Sequence, residues 1–366
     1  MEEQDLECNL LPPAGFDVHL PGYGDESEAR KAGDFVSEML KYLSAQFQFD
    51  LRRLDGLTMA YDYEAALENL DRGFEASRPL RASQGDVVGV GMTPVVVRDG
   101  QIRAHIVLHA STGEWLMGQD EERFGLALYT VGHEAAHVQD LGIRDDAIPG
   151  VIAKPLPVEI GPTILFSQAD ACWSEYAASR DSAFLRPKET ESYDGTVARA
   201  LAAAAERNDQ AIRAYRLHRQ VEQVLDEVAS TCGDILKFAS YLFGHLAGID
   251  RAWQADAPDT ALALSDNPEW QRIFSSLDEA LNAMWATRRT WTGLEVYRSL
   301  TEVSREALRV AGLELRDLDA GALYVHIPIP SALSPDGAFP SGTDDLLNDN
   351  HGFAAHSNLI DNKICG

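Results

Sequence analysis

Positive charge is in short supply in this chain: 31 Lys and Arg stand against 58 Asp and Glu, a formal net charge of -27. Phosphate backbones and anionic membranes are held by clustered Lys and Arg, so nucleic acid and membrane surfaces are excluded as natural partners. A peptide or protein, basic if charged, fits such a surface better. Cysteine is also sparse. Cys8, Cys172, Cys232 and Cys365 are far apart and form no CxxC pair. That spacing argues against both a disulfide framework and a Cys-rich zinc site. No stretch approaches the roughly 20 apolar residues of a membrane helix. The acidic start, MEEQDLECNLLPPAG, lacks the basic-then-apolar order of a signal peptide, and the expectation is a cytoplasmic, reduced protein.

What is abundant is core-forming material, with 45% hydrophobic residues in 366. Residues 1–26 read as N-terminal coil. Residues 27–48 read as an amphipathic helix, with Phe35, Met39, Leu40 and Leu43 at helical spacing. An Asp-Gly pair at 55–56 predicts a turn, and a second, Asp99–Gly100, sits between β-branched runs as a hairpin signal. In IRAHIVLH, Ile102, Ala104, Ile106 and Leu108 alternate with Arg103, His105, Val107 and His109, which suits a strand near a sheet edge. Residues 120–141 read as a helix with acids in its first turn and Gly142 as its cap. The stretch 144–163, with four prolines, reads as a long loop. Residues 167–183 turn helical again, and most segments from about 194 to 311 are helix-like. From 328 the composition shifts to Pro, Ser, Gly, Asp and Asn, a flexible acidic tail.

The chemistry is concentrated in HEAAH, His133 to His137. On a helix the two histidines, four apart, project from one face and can give one metal two nitrogen ligands. Glu134 points to the adjacent side, where it can reach a metal-bound water without being a ligand. A catalytic zinc takes three protein ligands and keeps one position open, so a third donor is required.

The pentapeptide, on a helix that follows a β hairpin, resembles the zincin metallopeptidases. The resemblance covers roughly residues 86–183. It implies a zinc-dependent hydrolase of peptide bonds, with His133 and His137 on the metal and Glu134 as general base. It also implies an edge strand lining the cleft, for which IRAHIVLHAS is the candidate. The elongated HExxHxxGxxH pattern is absent, since His137 is followed by VQDLGIRD. The gluzincin pattern, with a Glu on a later helix, is matched best by Glu175 in ACWSEYAASR, 38 residues after His137. Its helical neighbours Ala171, Cys172, Ala178 and Ser179 are small and permit close helix approach. Glu159, Asp140 and Asp170 remain alternatives as ligand, and Asp140 also as a residue orienting a ligand. Tyr176, Arg180, Tyr193 and His218 are chemically suited to stabilise an oxyanion. Trp173 is expected to anchor the Glu175 helix in the core.

The expected architecture is α+β. Residues 27–190 form a zincin-like metallopeptidase domain with a small, mainly antiparallel sheet and the HExxH helix. Residues 191–327 form a helical section packed on it, and 328–366 the tail. Two other readings stay open: a metal-binding zincin scaffold that cleaves nothing, and a helical interaction protein with a chance HExxH.

Overall fold

A computed structural model of the chain describes residues 10–13, 15–75, 80–82, 89–150, 163–317 and 323–328. The tail beyond 328, with His351 and His356, lies outside the described residues, as do Glu159, Cys8 and Cys365. The chain combines many helices with a small sheet, as an α+β reading expects. Among the described residues, no helix is long and apolar enough to cross a membrane.

The N-terminal part is not coil throughout. Strand β1 (Asp17–His19) precedes helix α1 (Glu26–Phe47), which Asp25 caps by accepting a hydrogen bond from the Glu28 backbone at 2.9 Å. Strand β2 (Leu54–Ala60), helix α2 (Tyr63–Glu68), strands β3 (Gly91–Met92), β4 (Val95–Arg98) and β5 (Gln101–His109) and helix α3 (Ser111–Met117) follow. The strand order is β1-β2-β5-β3, with β4 also on β5. The sheet is mixed rather than mainly antiparallel. β1 pairs with β2, and β2 with β5, in parallel; only β3 and β4 run antiparallel to β5. The parallel pairs follow from α1 and the long β2–β5 connection, because parallel neighbours need a crossover.

The two Asp-Gly pairs behave differently. Asp99 and Gly100 both take positive φ, 51° and 74°, and turn the β4–β5 hairpin as expected. Asp55–Gly56 makes no turn; it lies inside β2 at a register shift. A Cβ on Gly56 would stand 2.8 Å from His105 Cε1 and 2.9 Å from the Asp17 carbonyl oxygen. This glycine serves close strand packing rather than chain reversal. The hairpin also relocates the sheet edge. β5 is interior, flanked by β2 and by β3–β4, so the edge facing away from β2 is 91–98 and not IRAHIVLHAS.

Helix α4 (Glu121–Ala147) is capped by Asp120, which accepts from the Glu122 and Arg123 backbones at 3.0 and 3.1 Å. It continues past the expected stop at Gly142. That glycine is buried in the helix against Arg53, and the helix ends at Ile148, just before Pro149. Helix α5 (Thr163–Ser182) follows, then α6 (Thr190–His218) and α7 (Val221–Gly248). Short helices α8 (Trp253–Asp256) and α9 (Pro258–Leu264) lead to α10 (Pro268–Thr287) and α11 (Arg298–Val310). The helical section ends in a hairpin of β6 (Glu314–Asp317) and β7 (Leu323–His326), which its helical reading did not anticipate.

Among the described residues, two large hydrophobic cores result, with a small third cluster of Tyr63, Leu67, Leu80 and Val107. One lies between the sheet, α1 and α4, built on Leu40, Leu57, Ile106 and Val131. The larger gathers α5, α6, α7, α10 and α11 around Trp173, Leu236 and Phe274. Helix α5 therefore packs mainly with the helical section, while its Ala178 reaches the sheet-side core. Gly244 and Gly248 of α7 abut the backbone of α5 at Tyr176 and Arg180, where any Cβ would collide. Helices α4 and α5 are thus pressed together between the two cores.

Candidate metal centre

The HEAAH residues occupy the middle of α4, and Glu175 the middle of α5. A buried polar network fixes the two helices in register. Asp140, one turn beyond His137, accepts from Trp173 Nε1 at 3.1 Å and pairs with Arg144 Nε at 2.8 Å. Arg144 reaches across to Asp170 at 2.7 Å, and the Tyr297 hydroxyl donates to the same Asp170 oxygen at 3.1 Å. Burial pushes the Asp140 carboxyl up, against the opposing pull of Arg144. Asp140 and Asp170 are committed to this network and stand outside the group that converges on the HEAAH face. Trp173 is fully buried, two residues before Glu175, as its anchoring role requires.

The convergence itself is tight. His133 Nε2 and His137 Nε2 are 3.1 Å apart, and Glu175 Oε2 lies 3.3 Å from each. Donor atoms ~2.0–2.2 Å from a tetrahedral zinc are about 3.3–3.5 Å from one another, so this triangle is close to one face of such a polyhedron. At this separation the three atoms cannot all present bare lone pairs, so a hydrogen or a metal ion must lie between them. Among the described residues, these three alone form such a group.

The electrostatics agree with the geometry. Burial opposes ionisation of Glu175, but the charge of His137 and hydrogen bonds from both imidazoles outweigh it and hold the carboxyl far below its usual range. Burial likewise disfavours a charged His137, yet Glu175 prevails and raises its pKa. His137 Nδ1 is 3.1 Å from Ser174 Oγ, which fixes the ring with Nε2 turned to the triangle. The Nδ1 of His133 is buried without a hydrogen-bond partner, and its ring lies against Tyr241, centroids 5.6 Å apart and planes 23° from parallel.

Glu134 is buried beside the triangle and held from the sheet edge. The Thr93 hydroxyl donates to its Oε2 at 2.7 Å, and Gly91 of β3 leaves room for the carboxylate, since a Cβ there would stand 2.7 Å from Oε1. All four residues line a cleft of about 550 Å³. The edge at Gly89–Thr93 forms one wall, and α6 and α7 another.

The suggested oxyanion donors separate. Tyr193 lines the cleft, its hydroxyl 2.8 Å from that of Tyr129. Tyr176 is fully buried and donates to Asn282. Arg180 lies over Trp285, and His218 accepts from the Gln220 backbone at the end of α6; neither lines the cleft. His105 is also spent elsewhere, between Asp55 at 3.0 Å and Thr58 at 2.9 Å, and burial lowers its pKa. His109 contacts Ser111.

Three contributors escaped sequence reasoning: Thr93, Ser174 and Tyr241. Tyr241 sits on α7 beside Glu175; burial first, then the Glu175 charge, raise its phenol well above the usual value. It therefore stays protonated as a hydrogen-bond donor. Comparison of the chain with protein-family models, with curated proteins and with solved structures finds no match.

Proposed function

We propose that the protein is a zinc-dependent metallopeptidase, with His133, His137 and Glu175 as metal ligands and Glu134 as general base. The observation that supports it most is the 3.1–3.3 Å triangle of two imidazole nitrogens and one carboxylate oxygen, opening on a cleft. This donor set, two neutral nitrogens and one anionic oxygen, suits zinc. Held there, zinc would supply Lewis-acid chemistry, acidifying water and polarising a substrate carbonyl.

The chain's own residues supply the rest. Glu134 has Oε2 engaged by Thr93, which leaves Oε1 to take the proton from the attacking water and return it to the departing amine. The edge strand at Gly91–Met92 offers backbone groups beside Glu134 for an extended peptide. Tyr241 remains protonated and gives the site a hydrogen-bond donor next to the ligand carboxylate.

The test couples metal analysis with peptide cleavage. The purified protein is expected to hold one zinc, lost in His133→Ala. Glu134→Gln is expected to keep the zinc and lose cleavage of a random peptide library by at least about 100-fold. A protein that takes up no zinc, or a Glu134→Gln variant as active as the wild type, overturns the reading.

A further inference from the structure

The cleft does not end at the metal triangle. It continues between α6 and α7, which line it with Tyr193, Thr196, Ala200 and Arg207 on one side and Tyr241, Phe238, Lys237 and Thr231 on the other. Tyr241 marks the metal end, because its ring stacks on His133. Lys237 lies one helical turn from Tyr241, about 6 Å along the axis. An extended peptide advances about 3.3 Å per residue, so Lys237 stands roughly two residues from the reacting carbonyl.

Lys237 is a cation placed in a wall of an otherwise strongly acidic protein. Its side chain is only 25% exposed, and its ammonium sits 5.5 Å from the Phe238 ring. Its ion pair, with Asp234, is a long one of 3.7 Å along its own helix, and Asp234 is itself half exposed. Such a pair contributes little and yields readily to a better anion. Arg207 adds a second positive group farther along the same cleft. Asp234 beside Lys237, and Glu189 near Tyr193 where Arg186 pairs with it at 2.6 Å, limit the opening to one carboxylate rather than a run of them.

We propose that Lys237 selects substrates by a carboxylate placed one to two residues from the scissile bond, on a peptide that is otherwise neutral or basic. This rests on the metallopeptidase reading for the word substrate, but not for the binding site. The carboxylate is either the peptide's C-terminus or a Glu or Asp side chain; both present the same planar anion to the ammonium. The net charge of -27 disfavours polyanionic peptides, which agrees with a single recognised acid.

The experiment uses full-length, zinc-loaded Glu134→Gln, titrated with random pools of neutral-residue pentapeptides. The pools carry a free or an amidated C-terminus, and Glu or its isostere Gln at one fixed position. At least one carboxylate pool is expected to bind about 10-fold tighter than its neutral counterpart. Lys237→Gln in the same background reduces that ratio to within about twofold, while Lys237→Arg retains most of it. Which pool wins tells a C-terminal carboxylate from a side-chain one. Equal binding of charged and neutral pools, absence of binding by every pool, or a preference that survives Lys237→Gln overturns the proposal. Cleavage of the same pools by the wild type reads the other question: a preference without cleavage sinks the hydrolase alone, and cleavage without preference sinks the carboxylate site alone.

Discussion

Thr93 Oγ1 donates to Glu134 Oε2 across 2.7 Å, joining the end of the edge strand to the carboxylate beside the His133–His137–Glu175 triangle. Two residues earlier, Gly91 leaves the space that carboxylate occupies, for a Cβ there would come within 2.7 Å of Oε1. Glu134 is therefore aimed by the sheet and not by its own helix alone. The atom that must yield to a Cβ is the far end of a flexible side chain, so Gly91→Ala is expected to move the carboxylate rather than disrupt the fold. Zinc content should stay at the wild-type level, because all three proposed ligands come from α4 and α5. Peptide cleavage should fall about 100-fold. Normal cleavage with normal zinc would show that the space at Gly91 does not position the Glu134 carboxylate.

Zinc affinity should fall with acid earlier than an ordinary histidine predicts. Metal binding needs both imidazoles neutral. Burial works against protonation of His137, but Glu175 overcomes it and raises the pKa above the ordinary ~6.5. Affinity is then full above that raised value and drops about tenfold per pH unit below it. Glu175 is shifted the other way, far below its usual range, so it stays ionised and adds nothing to this loss. Competitive titration of zinc between pH 5.5 and 8 reads the break point. A break clearly below 6.5 would contradict the coupling of His137 to Glu175.

The residues that orient the triangle can be tested without touching it. Ser174 Oγ is 3.1 Å from His137 Nδ1, and Tyr241 packs on His133 while its hydroxyl stands beside Glu175. Partners of this kind set ring orientation and ligand basicity. Ser174→Ala and Tyr241→Phe are each expected to weaken zinc binding about 10- to 100-fold, with helix content by circular dichroism unchanged. Affinities within twofold of the wild type would leave these contacts without a role at the metal.

Which of these groups the sequence disclosed follows from how each is encoded. The HEAAH spacing is local, so helical periodicity alone puts His133 and His137 on one face. Glu175 needed the small neighbours of its helix and a resemblance. Thr93, Ser174 and Tyr241 carry no local signature, since each acquires its place only through packing between elements distant in the chain. The sheet shows the same division. Asp99–Gly100 reverses the chain because both residues can adopt positive φ, a local property. Asp55–Gly56 has the same letters, but its glycine is demanded by His105 and Asp17, contacts no local pattern contains. The parallel pairing of β2 with β5 is likewise a property of their connection, not of either strand.

The buried bridge between α4 and α5 should carry much of the stability of the region that presents the triangle. Asp140 is fully buried and joins Trp173 on α5 to Arg144 on its own helix, while Arg144 extends to Asp170. Removing one member of such a network leaves buried charge without its counterpart, at a cost of about 3–5 kcal/mol. Asp140→Ala is expected to lower the unfolding free energy by that amount and to weaken zinc binding, because Trp173 would no longer tie α5, and with it Glu175, to α4. Asp140→Asn also withdraws the charge opposite Arg144 but keeps an oxygen for Trp173, so its loss should be the smaller of the two. Urea denaturation of both variants, each with zinc and with chelator, measures the two costs. Equal losses for the alanine and asparagine variants would mean that the Trp173 contact contributes nothing and that the helices are held in register by the Arg144–Asp170 pair and apolar packing.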